Sequence, residues 1–281
     1  MTGSSPAVAP QPGLDARQII KLVVYTLLLI NFGLYIAEDV SIAAHTLRNG
    51  GGFFDYTAAL AVSIGVLAWL MLLFLFELET YLLSDDAFTP VRIAMMHGLR
   101  LICYVFLAYQ LLAYSQAGID LIGVQAVPGV DTLCQMAGQG VSFGFNVTYT
   151  DLTPENCAGL SSDSRFFLIE NGAVVTDTLG LQIERELVWI DLAEAIVWLV
   201  IVLCIEIVVR QQDRGITRGV AIRTANVMKF LLYISLWAMA AYWIYRGHYR
   251  YAYDEALWIF GFFAIEGNIS EWKRDIRSGR A

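Results

Sequence analysis

Apolar positions in this chain gather into long blocks separated by short polar stretches, a spacing that predicts membrane-crossing helices. The first block covers about 19–37 and ends in Glu38-Asp39. A flexible link with Gly50-Gly51-Gly52 leads to a second block over 56–83, whose end carries Glu77 and Glu79. A polar turn precedes a third block at 99–119. The fourth, at 187–210, contains Asp191, Glu194 and Glu206. A fifth runs 228–245 and a sixth about 254–269. The uncharged part of the sixth is short for a crossing, but Tyr249, Tyr251, Tyr253 and Trp272 suit an interfacial aromatic belt.

Between the third and fourth blocks the period changes. Val141, Phe143, Phe145, Val147 and Tyr149 alternate with Ser142, Gly144, Asn146 and Thr148, which predicts a strand. Stretches 166–169 and 173–175 flank Asn171-Gly172, a hairpin signal. The expected fold is thus an all-α polytopic membrane protein of about six transmembrane helices with a small β-containing extracytoplasmic loop domain. In residue numbers this means a disordered tail at 1–18, helices one to three within 19–123, and the loop subdomain at 124–186. Helices four to six fall within 187–270, followed by a basic cytoplasmic tail at 271–281.

Composition agrees with this reading. Hydrophobic residues make up 57% of the chain and the mean hydropathy is +0.58, values of a polytopic membrane protein. The net charge of −8 argues against a nucleic-acid partner. Of the 18 Lys and Arg, those at Arg48, Arg165, Arg185, Arg246 and Arg250 fall outside if the N-terminus is cytoplasmic and there are six spans; the rest fall inside. This asymmetry sets both termini in the cytoplasm, and a bacterial inner membrane is expected. The same orientation places Cys134 and Cys157 in the outer loop, where a disulfide is expected to persist.

Candidate chemistry lies mainly in the fourth block. Asp191 and Glu206 are roughly 22 Å apart along a helix, in a hydrocarbon core about 30 Å thick, so the acids cannot all reach headgroups. They share about a third of the helix circumference and require a protein or water neighbour. The expected ion or proton pathway comprises Asp191, Glu194, Glu206, Glu77 and Glu266, with Arg100 and Lys229 as counter-charges. Arg210, four residues after Glu206, supplies a plainer pairing for that acid. Phe74-Leu75-Phe76-Glu77 resembles the Phe-x-x-Glu of the second helix of voltage-sensor domains. That family needs regularly spaced arginines in its fourth helix, where this chain carries acids, so the likeness stops at those residues.

His45, His97 and His248 lie at block ends or in loops, and no metal-ligand spacing, nucleophile elbow or phosphate loop occurs. No catalytic residue, metal or cofactor is expected. The sequence therefore predicts a channel or transporter for cations or protons, surrounded by lipid and forming a homo-oligomer or joining a membrane-protein partner. The alternative is a non-catalytic accessory or scaffold subunit that binds partner membrane proteins.

Overall fold

A computed structural model describes residues 16–78, 89–216 and 218–278. Long helices form a bundle, and a small sheet sits against one end of it. The helices are α1 (Ala16–Thr46), the consecutive pair α2 (Phe53–Ala59) and α3 (Ala61–Glu77), α4 (Pro90–Ile122), α6 (Thr178–Asp213), α7 (Val220–Tyr245) and α8 (Tyr249–Ser278). Between α4 and α6 lie β1 (Ser142–Phe145), β2 (Thr148–Asp151), the one-turn α5 (Cys157–Leu160), β3 (Phe166–Ile169) and β4 (Val174–Asp177). Packing follows a closed ring, α1 to α3 to α4 to α6 to α7 to α8 and back to α1. Leu28, Leu72, Phe76, Ile201, Ile205, Leu236, Ile259 and Phe262 fill its middle and are fully buried.

Four helices, α1, α4, α6 and α7, are each long and apolar enough to cross a membrane. The pair α2–α3 passes only jointly and is bent by 65°, giving a fifth as a broken or re-entrant span. The expected six spans are therefore not established. Helix α8 is not among these spans as far as its described residues go, and it packs Leu257, Trp258, Ile259 and Phe262 into the core and closes the ring. The predicted tail positions at 1–15, Glu79 and residues 279–281 lie outside the described residues.

Helices outrun their apolar blocks because polar caps set the ends. Thr89 accepts from the Arg92 amide ahead of Pro90, a residue suited to a first helical position. Asp177 accepts from the Gly180 amide at 2.8 Å, so α6 starts directly out of β4, well before the apolar block at 187. Arg185 then lies on α6 and donates from Nε to the Leu121 carbonyl at 2.9 Å, satisfying the C-terminal end of α4. Helix α1 continues past Glu38-Asp39 because both acids find partners inside the protein.

The sheet order is β2-β1-β4-β3, with parallel β1 and β4 in the centre and antiparallel strands at both edges. Leu133, Met136, Phe143, Leu152, Phe166 and Val175 give it a core of its own. The expected Cys134–Cys157 disulfide is present and joins the turn at Leu133–Met136 to α5. The 166–177 hairpin forms around Asn171, which has φ 52°. The single strand expected over 141–149 is corrected: the chain turns at Asn146-Val147, with φ 52° and 62°, and returns as β2. Two successive left-handed residues make the tight turn whose twist matches a hairpin. Asn tolerates this conformation, whereas Val does so only under strain.

Candidate functional site

Helix α6 carries the expected pathway acids, and its neighbours sort them into two regions. Toward the cytoplasmic end of the expected orientation, Glu206 accepts from Arg100 Nη1 at 3.4 Å and from the Tyr104 hydroxyl at 3.2 Å, with Arg210 Nε at 3.5 Å. Glu77 on α3 lies 3.0 Å from Lys21 Nζ of α1 and accepts from the Tyr25 hydroxyl at 2.7 Å. Glu266 on α8 lies 2.8 Å from Lys229 Nζ of α7 and accepts from the Tyr233 hydroxyl at 3.0 Å. Each acid thus has its own cation and its own tyrosine. Each pair also bridges two helices of the ring, a geometry suited to fixing their register.

Asp191 and Glu194 lie elsewhere. Glu194 and Glu206 are separated by about 18 Å along the α6 axis. Between them Trp198, Ile201, Val202 and Ile205 are buried in the apolar core. Asp191 and Glu194 instead join Glu38 and Asp39 of α1 and Asp254 and Glu255 of α8 around a cavity of about 190 Å³. Six carboxylates from three helices line it, and no Lys or Arg does. Asp191 and Glu194 pack deeply but keep some accessible surface, as cavity-wall groups do.

The partners of these six acids differ. Asp39 Oδ2 accepts from the Ser63 amide at 2.9 Å, and that amide belongs to the first turn of α3, freed by the break at Leu60. Asp39 therefore caps a helix from outside it, where the helix dipole favours a negative charge. Glu38 is paired with Arg250 and accepts from the Tyr251 hydroxyl at 2.9 Å. The other four have neutral donors at best. Asp254 accepts from Asn31 at 2.5 Å and from Tyr35 at 3.0 Å. Glu194 accepts from the Trp243 indole at 3.0 Å, and Glu255 Oε2 from the Trp198 indole at 3.2 Å. Glu255 is 2% exposed, its Oε1 meets no hydrogen-bond donor, and its carboxylate interacts with that of Glu194. Two carboxylates in contact need a proton or another cation between them.

The turn between β1 and β2 borders this cavity. Val147, at the strained turn, lines it and packs against Ile183, Leu187 and Trp243. The Val147 amide donates to Glu184 at 3.3 Å. Asn146 donates to the Arg246 carbonyl at 3.2 Å and lies 3.0 Å from His248 Nε2, both in the turn between α7 and α8. Burial, aided by the charge of Arg246, holds the His248 imidazole below the usual histidine range. On the opposite side Arg48 and His45 at the end of α1 hold Asp151 of β2. The turn residues are thus held by three helices beside the acids.

The structure brings Asp191 and Glu194 of the expected pathway together with Glu38, Asp39 and Asp254, while Glu77, Glu206 and Glu266 lie elsewhere. Arg246 does not line the cavity and pairs with Glu186. Glu255 was missed because it stood at the edge of the sixth block; starting α8 at Tyr249 puts it in the second turn, facing inward. Lys21 was missed as the partner of Glu77 because their meeting depends on how α1 packs on α3. No group of three or more His, Cys, Asp or Glu among the described residues is placed to hold a metal ion. Comparison with family models, curated proteins and solved structures finds no match, so the site is read from its geometry alone.

Proposed function

We propose that this membrane-embedded protein transports or conducts a cation, a proton included, and that its binding step occurs in the outer-half cavity. The observation that carries the reading is the group Asp191, Glu194, Asp254 and Glu255, which share one cavity with neutral donors and no lining Lys or Arg. Buried carboxylates without counter-charge are costly, so such a group is retained for a positive charge that comes and goes. The fixed pairs at Glu77, Glu206 and Glu266 then act as the struts against which the outer half works. The apolar layer around Ile201 and Ile205 closes the route inward in this conformation, so passage requires a second arrangement of the helices.

The test is flux of protons, Na⁺, K⁺ and tetramethylammonium through the full chain reconstituted in liposomes, repeated with Glu194→Gln and Asp191→Asn. Flux above empty liposomes, reduced to background by either substitution, is the expected result. Absence of flux in the wild type, or flux indifferent to both substitutions, rejects the reading. The accessory-subunit alternative would then be pursued by purification in mild detergent, where a bound membrane-protein partner must accompany the chain.

A further inference from the structure

The contents of the outer cavity can be narrowed, given the reading that it is a cation site. Its volume of about 190 Å³ exceeds the roughly 150 Å³ of a cavity that takes up benzene, and is generous for one bare alkali ion. Among the described residues no three of the acids converge on one point. The carboxylates are spread over walls of aromatic and aliphatic side chains, the latter including Ile42, Val62 and Val66. Trp69, Trp198 and Phe262 form one side, with Trp198 and Phe262 ring centroids 5.1 Å apart and Trp69 about equally far from both at 6.2 and 6.1 Å. Trp243 and Tyr251 form another, 5.2 Å apart. Indole and phenol rings attract cations that are too weakly hydrated to demand a full oxygen shell. Beside them stands the Glu255 carboxylate, 2% exposed, lying against that of Glu194, with Oε1 receiving no hydrogen bond from any other group on the cavity wall.

We propose that the cavity binds a small organic ammonium ion, its charge placed against Glu255 and Glu194 and its alkyl groups against Trp69, Trp198, Trp243 and Tyr251. Glu255 Oε1 is the acceptor for an N–H of a primary ammonium, or the counter-ion of a quaternary one. The aromatic walls supply the desolvated surface for the carbon atoms. Val147, held by the docked β1–β2 turn, borders the cavity beside these groups.

The probes are n-butylammonium and tetramethylammonium chloride, with pentan-1-ol as a neutral counterpart and NaCl and KCl as ionic-strength controls. Binding to the full chain in mild detergent is read by tryptophan fluorescence and by thermal unfolding. Saturable binding of at least one ammonium ion is expected, with no saturable response to pentan-1-ol, Na⁺ or K⁺. Glu255→Gln should weaken it about tenfold or more, the loss of one charge-assisted contact. Where that variant does not fold, Glu194→Gln takes its place with the same expectation, and Trp69→Leu weakens binding without altering charge. The inference is overturned if neither ammonium ion binds, if Na⁺ or K⁺ saturates the same response, if only protons alter it, or if folded carboxylate variants bind as the wild type does. Proton or alkali-ion flux that depends on Glu194, without ammonium binding, overturns this inference and leaves the cation-transport reading standing; absence of both removes both.

Discussion

On the half of the bundle away from the sheet, the inner half of the expected orientation, every expected pathway acid meets a cation, Glu77 with Lys21, Glu206 with Arg100 and Glu266 with Lys229. On the outer half Asp191, Glu194, Asp254 and Glu255 form no ion pair and have tryptophan, tyrosine and asparagine donors or one another, with the nearest cation, Arg250, paired to Glu38 and acting on Asp254 from there. The residue type is the same, and each group has a buried member, Glu77 in one and Glu255 in the other. Charge compensation separates them. A closed pair loses heavily if one partner is removed and gains nothing from a ligand. An uncompensated group is costly until a positive charge arrives, which couples the state of the site to what it binds.

Breaking the inner half should have the largest effect on stability. Glu77→Leu removes the acceptor of both Lys21 and Tyr25, and a loss of about 3–5 kcal/mol is expected in detergent unfolding. A variant as stable as the wild type would abolish the contrast between the halves. Cys134→Ser with Cys157→Ser should cost about 2–4 kcal/mol, confined to the sheet whose β1–β2 turn borders the outer cavity. Ammonium or cation binding should fall with it, while the helical signal of the bundle stays.

Lys229→Met alone should destabilise, whereas Lys229→Met with Glu266→Leu should recover to within about 1 kcal/mol of the wild type, because a buried pair can be replaced by apolar groups of similar volume. A double variant no better than the single would mean that Glu266 has work beyond pairing. In the outer half Asp191→Asn should leave stability level or slightly raised, since it removes a buried charge that has no cation, yet it should abolish flux. A clear loss of stability would place Asp191 among the structural acids.

The smallest effect concerns pH. The imidazole of His248 is held below its ordinary value by burial and by Arg246, so the folded protein binds that proton less well than the unfolded chain. Its contribution is complete above the usual histidine range near about 6.5 and is lost as pH falls through it. Docking of the Asn146 turn should weaken over that window, and thermal unfolding of His248→Gln should follow a flatter profile there.

Much of this was legible along the chain. The apolar blocks located α1, α4, α6 and α7 because about 20 uncharged residues have one cheap solution, a helix in lipid. Two cysteines in one polar loop announced their bond. Asn171-Gly172 announced its hairpin, while Asn146-Val147 did not, since Val is a poor left-handed residue and only its contacts with Glu184 and the α7–α8 corner hold it there. Helix ends were misplaced because hydropathy does not register caps such as Asp177, whose Gly180 amide lies outside the apolar block.

The sequence alone therefore determined a helical protein with spans apolar enough for a membrane, a disulfide-stapled loop between its third and fourth apolar blocks, and an acidic helix that must have polar company. Those properties follow from local composition and from the cost of charge in hydrocarbon. Only the tertiary structure decided which acids have cations and which do not. Lys21 reaches Glu77, Arg100 reaches Glu206, and Glu255 faces Glu194 because six helices close into one ring, and partners on different helices are set by packing angle and rotation. No periodicity within one helix records which face its neighbour turns toward it.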